Sequence, residues 1–130
     1  MKVLLIGNLG YVGPVLMEYL SSKKIKYDGI DINYFKNKKV TNFIKKEKIN
    51  QKYIDVRNID KHIIGKYDAV IYLAAISNDP MGNEFKKTTF DINWKMAIKI
   101  AKISKKVGIE KFIFASSCSM YGVSKNKFKT

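Results

Sequence analysis

A glycine-rich turn near the N-terminus constrains the fold of this chain more than any other feature. The apolar run 3–6 precedes the turn, and a helical pattern of apolar residues follows it over 14–22. Gly7 permits a tight change of direction, Gly10 lets a ligand approach the backbone, and Gly13 lets the helix pack closely against the strand. The sequence therefore predicts a strand, a turn and a helix whose N-terminus binds the phosphates of a dinucleotide.

The spacing of these glycines is a variant of the dinucleotide-binding pattern. Asn8 occupies the position at which the commoner dehydrogenase pattern has a glycine, so the spacing is Gly-x-x-Gly-x-x-Gly. This spacing is found in short-chain dehydrogenases/reductases. Tyr11 and Val12 lie inside the turn, and we assign them to the cofactor site together with the glycines. Pro14 fits the first turn of the helix, where its missing N–H costs nothing.

Strand-like and helical segments alternate along the whole chain. The predicted strands are 3–6, 27–31, 52–55, 69–73 and 111–115, and the predicted helices are 14–22, 42–48, 58–64 and 88–107. Alternation at these lengths predicts an α/β fold with right-handed crossovers. We expect a Rossmann-type, doubly wound parallel sheet with strand order 3-2-1-4-5 in a three-layer αβα arrangement.

The net charge of +14 is the one unusual bulk property, and it does not by itself indicate nucleic-acid binding. Of the 25 basic residues only Arg57 is an arginine, whereas recognition of phosphates and bases favours arginine. The lysines are scattered along the chain. We therefore interpret them as a solvated surface and expect no nucleic-acid partner.

Three further features bound the location and the chemistry. No apolar run reaches the roughly 18 residues of a membrane span, and the N-terminal run ends at Gly7, so we expect no membrane association. The single cysteine excludes an intrachain disulfide and fits a reducing cytoplasm. No cluster of His, Cys or Asp has the spacing of metal ligands, so we expect no metal.

Two acidic residues are candidates for binding the adenosine half of a dinucleotide. Asp31 ends the predicted second strand, where a carboxylate accepts hydrogen bonds from ribose hydroxyls and repels a 2′-phosphate, which favours NAD over NADP. The alternative is a surface aspartate that caps a turn. Asp55 ends the third strand and can accept from the adenine amino group, while the backbone N–H of Val56 donates to the ring. Lysines in the segment 36–39 weaken the preference against NADP.

Leu73, Ala74 and Ala75 follow the fourth strand. Strand order reverses at this point of the sheet, and ligands of such folds lie there. Small side chains would let a cofactor pass close to the backbone, so we assign all three residues to the cofactor site. The alternative is that the alanines only fill the core.

A serine-rich stretch over 116–122 follows the fifth strand. Together with the glycine turn, Asp31, Asp55, the Tyr-Leu-Ala-Ala run at 72–75 and Asn93, it resembles the extended short-chain dehydrogenases/reductases. Within them the chain looks most like the nucleotide-sugar epimerase/dehydratase group. The resemblance covers the whole chain. It implies a tightly held NAD that oxidises a sugar carbon and then returns the hydride.

The resemblance also implies roles for individual residues. Ser117 matches the residue that positions the reacting sugar hydroxyl, so it is predicted to be catalytic. Ser77 and Ser119 match positions that contact the substrate. Asn93 matches an asparagine of the long helix, for which a direct ligand role and a local structural hydrogen bond both remain open.

The catalytic base of this family is a tyrosine in a Tyr-x-x-x-Lys motif. Tyr121 and Lys125 have this spacing but lie too close to Ser117 in the sequence, so we interpret the match as fortuitous. We expect residues 1–130 to be an incomplete Rossmann domain without the substrate lobe, inactive by itself. The alternative is a stand-alone NAD(P)-binding module or sensor without turnover. The resemblance further implies a nucleotide-sugar substrate and a homodimer through the helix 88–107.

Overall fold

The computed structural model describes residues 1–77, 80 and 84–117. Within these residues the strands are β1 (Lys2–Ile6), β2 (Lys26–Ile30), β3 (Gln51–Lys52), β4 (Ala69–Tyr72) and β5 (Lys111–Phe114). The helices are α1 (Gly13–Ser22), α2 (Lys38–Lys46), α3 (Lys61–Ile64), α4 (Lys86–Phe90) and α5 (Ala97–Lys106). A 3-10 turn lies at Val56–Asn58, and a π-helical segment at Asp91–Met96 joins α4 to α5. We call α4, this segment and α5 together the long helix.

The strands of the described residues form one parallel sheet in the order β3-β2-β1-β4-β5. β1 lies at the centre, where Val3 is in register with Tyr27 of β2 on one side and with Ala69 of β4 on the other. Helices cover both faces of the sheet. The predicted Rossmann-type topology and three-layer arrangement are therefore confirmed.

Alternate side chains of β1 enter separate cores on the two faces of the sheet. Leu5 joins a cluster that includes Met17 of α1, whereas Leu4 joins a cluster that includes Ile100 of α5. All four of these side chains are fully buried. Burying one such side chain contributes about 1.5–3 kcal/mol, so β1 anchors both layers of helices.

The start of α2 corrects the predicted helix 42–48. The side chain of Asn37 accepts hydrogen bonds from the backbone N–H groups of Lys39 (3.0 Å) and Val40 (3.4 Å). This cap satisfies N–H groups that the first helical turn leaves without a partner. The helix therefore begins at Lys38, earlier than its apolar pattern indicates.

The predicted helix 58–64 is wrong as a single element. The chain instead forms the 3-10 turn and then α3, and each begins behind an aspartate that caps it. Asp55 accepts from the backbone N–H of Arg57, and Asp60 accepts from that of His62. Two caps in close succession favour two short elements.

The strand bounds also differ from the predictions. β2 begins and ends one residue early, β4 and β5 each end one residue early, and β3 is Gln51–Lys52 rather than 52–55. The residue beyond a strand still donates to its neighbour, as Leu73 does to the carbonyl of Ile6 at 2.7 Å. β3 is short because the chain turns away at this edge of the sheet towards the 3-10 turn.

The long helix runs from Lys86 to Lys106, where 88–107 was predicted. Its apolar residues pack against or within the core at Ile92, Met96, Ile100, Ile103 and Val107. Gly108 follows shortly after the end of the helix, and its φ of +78° suits glycine. The π-helical segment was not predicted, because apolar spacings of three and four residues are typical of an α-helix.

A buried carboxylate ties together the amino ends of three segments. Oδ2 of Asp28 accepts from Lys2 Nζ (2.8 Å), from the Tyr67 hydroxyl (2.8 Å) and from Asn50 Nδ2 (3.0 Å). Burial pushes the pKa of Asp28 upward, but the hydrogen bonds from Lys2, Tyr67 and Asn50 outweigh it and lower the pKa below its ordinary value. The ionised form of Asp28 therefore stabilises the fold.

This carboxylate predicts a pH-dependent stability. A carboxyl group whose pKa is lower in the folded than in the unfolded protein stabilises the fold at pH values above its unfolded pKa, here 3.8. This contribution is lost as the pH falls through the lower pKa of the folded state. We expect Asp28→Asn to lower the free energy of unfolding by about 1–3 kcal/mol at pH 7 and to flatten its dependence on acid. Urea unfolding at pH 7 and pH 3 measures both effects. Glu110→Gln, on an exposed position, is the control, and equal pH profiles for all three proteins would contradict the assignment.

Candidate dinucleotide-binding site

The carboxyl ends of the parallel strands lie along one edge of the sheet, and the predicted site residues follow these ends. The glycine turn at 7–13 follows β1, Asp31 follows β2 and Asp55 follows β3. The segment 73–77 follows β4, and 115–117 follows β5. The topology therefore brings residues from five separate parts of the sequence to the edge at which ligands of doubly wound sheets bind.

The three glycines of the turn have different roles. Gly7 has a φ of +86°, and a Cβ there would overlap the backbone of Ala74. A Cβ at Gly13 would overlap the backbone of Asn8, so this glycine lets α1 start directly against the turn. At Gly10 the nearest atom to an added Cβ is the Gly7 carbonyl oxygen at 3.6 Å. Among the described residues, nothing thus fills the space beside Gly10, and a ligand could approach the backbone there.

The N-terminus of α1 faces the same space. The helix begins at Gly13 behind Val12, which has no side-chain oxygen to cap it, and Pro14 stands in its first turn as predicted. The first turn of α1 carries no acidic residue. The neighbouring Tyr11 is 98% exposed. The positive end of the helix dipole and the first N–H groups therefore remain available to an anion.

Asp31 joins the glycine turn to the end of β2. Its Oδ2 accepts from the backbone N–H of Leu9 at 3.0 Å, and its Oδ1 accepts from that of Asn33 at 2.7 Å. The bond from Asn33 is the turn cap that the sequence left open as an alternative. The bond from Leu9 was not expected. Each oxygen still has an unused acceptor position, so capping and ligand binding are compatible.

Asp55 is paired with the single arginine of the chain. Its Oδ1 accepts from Arg57 Nε at 2.9 Å, and its Oδ2 accepts from Nη2 at 2.6 Å. The side-chain hydrogen bonds from Arg57 are the main cause of a lowered pKa of Asp55. Val56, the other predicted adenine residue, buries its side chain in the core. The role of Arg57 was missed, although the Asp-x-Arg spacing was a signal for it.

Leu73, Ala74 and Ala75 lie next to the turn. The backbone N–H of Leu73 donates to Ile6 at 2.7 Å, which continues the pairing of β4 with β1. Ala74 packs partly against the core and also borders Gly7. Ala74 therefore does fill part of the core, as the alternative proposed. Its backbone also lies close to the glycine turn.

Asn93 lies in the π-helical segment and clamps the chain after β4. Its Oδ1 accepts from the backbone N–H of Ile76, and its Nδ2 donates to the carbonyl of Ile76, both at 2.9 Å. The hydroxyl of Tyr72 also donates to the carbonyl of Ile92 at 2.7 Å. The structure thus shows the structural hydrogen bond for Asn93, and a direct ligand role stays a prediction.

The predicted substrate and catalytic serines are only partly within the described residues. Ser77 is exposed after β4, and Ser117 is exposed beyond β5 at the same edge of the sheet. Ser119, Tyr121 and Lys125 lie outside the described residues. Topology therefore supports the common location of Ser77 and Ser117, and the role of Ser119 remains a prediction.

A shallow pocket of about 320 Å³ lies between α1 and the start of α2. Gly10 and Tyr11 border it on one side, and Asn37 and Lys39 border it on the other. Of the lysines predicted to weaken the preference against NADP, Lys39 therefore lies within this pocket near the turn.

None of the helices in the ranges 1–77 and 84–117 is long and apolar enough to cross a membrane. In the same part of the chain, no three His, Cys, Asp or Glu side chains group as metal ligands.

Comparison with known families and sequences gives one match. The model of the NAD dependent epimerase/dehydratase family matches residues 3–130, which is nearly the whole chain. No curated protein sequence matches the chain.

Solved structures of sugar-nucleotide epimerases share the fold. A UDP-N-acetylglucosamine 4-epimerase from Methanobrevibacter ruminantium M1, in complex with UDP-N-acetylmuramic acid, has a TM-score of 0.88 at 25% identity, over 99% of this chain and 42% of that one. A UDP-glucose-4-epimerase from Stenotrophomonas maltophila, with bound NAD and formylated UDP-arabinopyranose, has a TM-score of 0.83 at 21% identity, over 98% and 40%. A UDP-glucose 4-epimerase from Bifidobacterium longum, with NAD+ and UDP, gives 0.78 at 23%, over 98% and 40%. This chain thus spans about two fifths of their length.

The clamp at Asn93 predicts a loss of stability when it is removed. Asn93→Ala leaves the N–H and carbonyl of Ile76 without these partners, so we expect the free energy of unfolding to fall by about 1–3 kcal/mol. Chemical denaturation followed by circular dichroism measures the change. Lys95→Ala is the matched control in the same segment, since its ion pair with Asp91 (2.9 Å) lies at the surface, where such pairs contribute little to stability. Equal losses in both variants would refute the clamp.

Proposed function

Since this chain belongs to the NAD dependent epimerase/dehydratase family, we propose that it is the NAD-binding part of a nucleotide-sugar epimerase or dehydratase. One observation carries the proposal. The glycine turn is unfilled at Gly10 and is hydrogen-bonded, through Leu9, to the carboxylate of Asp31. The turn proposed to bind the phosphates and the carboxylate proposed to bind the ribose are thus adjacent, as a dinucleotide requires.

The start of α1 is the proposed site of the NAD pyrophosphate. Backbone at Gly10 is free of any side chain, and the N-terminus of α1 offers N–H groups and a positive dipole end. The net charge of +14 also attracts an anionic ligand over longer distances. We include the backbone of Tyr11 and Val12 in this site because both lie between Gly10 and the first residue of the helix.

The two aspartates are the proposed adenosine ligands. Asp31 keeps one unused acceptor position on each oxygen, which suits the two neighbouring hydroxyls of a ribose. Oδ2 of Asp55 accepts from Arg57 Nη2, whereas Arg57 Nε donates to Oδ1. An acceptor position on Oδ2 is therefore available to a ligand. Arg57 fixes the direction of this carboxylate. The backbone of Val56 would then donate to the adenine ring.

The reacting half of the cofactor is proposed to lie towards β4 and β5. When bound, NAD supplies a hydride acceptor for a sugar carbon. Ser117 can both donate and accept a hydrogen bond, so it can orient the reacting hydroxyl towards a base. We propose that Ser77 and Ser119 contact the sugar nucleotide. Tyr121 is not proposed as the base because it follows Ser117 too closely in the sequence.

The outer face of the long helix is the proposed homodimer contact. The rings of Phe90 and Trp94 are both exposed, and their centroids are 4.7 Å apart. Ile98, one turn further along, is exposed on the same stripe. Exposed aromatic rings of this kind favour a protein partner.

We further propose a cytoplasmic location, in keeping with the single cysteine.

Gly10→Val tests the proposed pyrophosphate site. The backbone of Gly10 has no positive φ and the space beside it is unfilled, so valine should fit the fold. The added side chain would occupy the space that the pyrophosphate needs. We expect NAD affinity to fall by more than about tenfold, measured by titration calorimetry, with little change in thermal unfolding.

Gly13→Ala is the contrasting control for this experiment. Its Cβ would overlap the backbone of Asn8, so we expect this smaller change to lower stability rather than to act on the ligand alone. NAD affinity that is unchanged in Gly10→Val would overturn the proposed site.

Asp31→Asn tests the preference for NAD. The amide keeps one oxygen acceptor, so it can accept from Leu9 or from Asn33 but not from both, and it removes the charge that repels a 2′-phosphate. Two like charges about 4 Å apart at a protein surface repel by roughly 1–4 kcal/mol, so we expect NADP affinity relative to NAD to rise by about tenfold. Titrations with both dinucleotides measure the ratio. Asp68→Asn, at the opposite edge of the sheet, should leave it unchanged, and a wild type that binds both equally would refute the role of Asp31.

A further inference from the structure

A buried pair of amide side chains lies directly under the glycine turn. Asn8 is fully buried, and its Nδ2 donates to Oε1 of Gln51 at 2.7 Å. Gln51 returns a longer hydrogen bond from Nε2 to Oδ1 of Asn8, at 3.3 Å. Asn8 belongs to the turn after β1, whereas Gln51 begins β3 at the edge of the sheet. The two amides therefore connect segments that are not adjacent in the sheet.

The surroundings of this pair are built to hold it. The second hydrogen of Asn8 Nδ2 points to Sδ of Met17 at 3.2 Å, and Gln51 Nε2 also donates to the carbonyl of Lys52 at 3.3 Å. The pair passes over Gly29 of β2, where a Cβ would overlap both amide side chains. A glycine in this strand thus provides the room that the pair needs.

Three consecutive residues of the turn are fixed to the β2 side of the sheet. The backbone N–H of Gly7 donates to the carbonyl of Ile30 at 2.8 Å, and that of Leu9 donates to Asp31 at 3.0 Å. Asn8, between them, is the residue that reaches beyond β2 to β3. Its side chain therefore sets the distance between the turn and β3, the outer strand that leads to Asp55.

We infer that Asn8 and Gln51 are positioning residues for the dinucleotide, an inference that rests on the proposed function. The hydrogen-bonded amide pair holds the backbone of Leu9 and Gly10 in the position in which this backbone contacts the pyrophosphate. Gln51 also lies shortly before Asp55, so the same pair fixes the distance between the phosphate-binding turn and the proposed adenine-binding segment.

The chemistry of the pair favours positioning over mere filling of space. An apolar residue at position 8 would fill the same volume without any partner on β3. An amide pair specifies direction and distance, because each group is satisfied only in one arrangement. Removing one amide leaves the other buried without its partner, and the turn can then shift to relieve it.

The experiment uses the full 130-residue chain and NAD. Asn8→Ala and Gln51→Ala should each lower NAD affinity by about 5-fold to 100-fold, at a temperature at which circular dichroism shows both variants folded. The exchanged pair, Asn8→Gln with Gln51→Asn, keeps the total length of the two side chains and should recover much of the affinity. Hydrogen exchange at the Leu9 and Gly10 amides, without NAD, should be faster in the alanine variants.

Tyr67→Phe is the matched control. It removes one buried hydrogen bond, the one to Asp28 (2.8 Å), at the opposite edge of the same sheet. We expect it to lower stability to a similar degree, with NAD affinity and exchange at Leu9 unchanged. A merely structural role for the amide pair would make the alanine variants behave like this control.

The outcomes separate the inference from the proposed function. If wild type binds NAD and the alanine variants bind it equally well, the inference is overturned and the proposed function stands. If wild type binds no NAD, the proposed function fails, and the inference fails with it. Loss of affinity with faster exchange at Leu9, together with rescue by the exchanged pair, supports both.

Discussion

The close approach of two backbones at the carboxyl ends of β1 and β4 determines the geometry of the site. Gly7 has a φ of +86° and lies so near the backbone of Ala74 that no Cβ fits between them. Its N–H is bonded to Ile30 of β2 at 2.8 Å, on the other side of β1. The turn is therefore fixed between both neighbouring strands. Because it cannot move sideways, its open face at Gly10 and the start of α1 are directed out of the sheet edge, where a phosphate can bind.

The topology could be predicted from the sequence because burial and periodicity determine it. An apolar strand such as β1 must be covered on both faces, and the alternation of strands and helices leaves few ways to do this. The bounds of short elements follow from single side chains instead. Asn37 starts α2 and Asp60 starts α3 through caps, which no periodic pattern of apolar residues contains. The π-helical segment at Asp91–Met96 was missed because the spacing of its apolar residues is that of an α-helix and carries no sign of the different hydrogen bonds.

In the candidate site, too, some features could be predicted from the sequence and others could not. The structural roles of Gly7 and Gly13 could be predicted because each follows from the absence of a side chain at a fixed place in the turn. The partners of the polar residues could not, because they depend on which segments the fold brings together. Gln51 beside Asn8 is such a contact, between residues that are far apart in the sequence. Arg57 beside Asp55 is the exception, because the Asp-x-Arg spacing was a local signal for it. A polar residue inside an otherwise apolar or glycine-rich stretch, such as Asn8, is the signal that such a partner exists.

Structural and ligand roles of one side chain are not exclusive, and counting acceptor positions decides what each residue can still do. A carboxylate has about four acceptor positions, so Asp31 can fix Leu9 and Asn33 and still bind hydroxyl groups. An asparagine amide has two acceptor positions and two donor hydrogens, and Asn93 uses one of each on Ile76. Two lone pairs on the oxygen and two hydrogens on the nitrogen leave it one further bond at each atom. A ligand of Asn93 would therefore add to the clamp on the chain after β4 and need not break it, so ligand binding at this point would stiffen the segment that leads to Ser77.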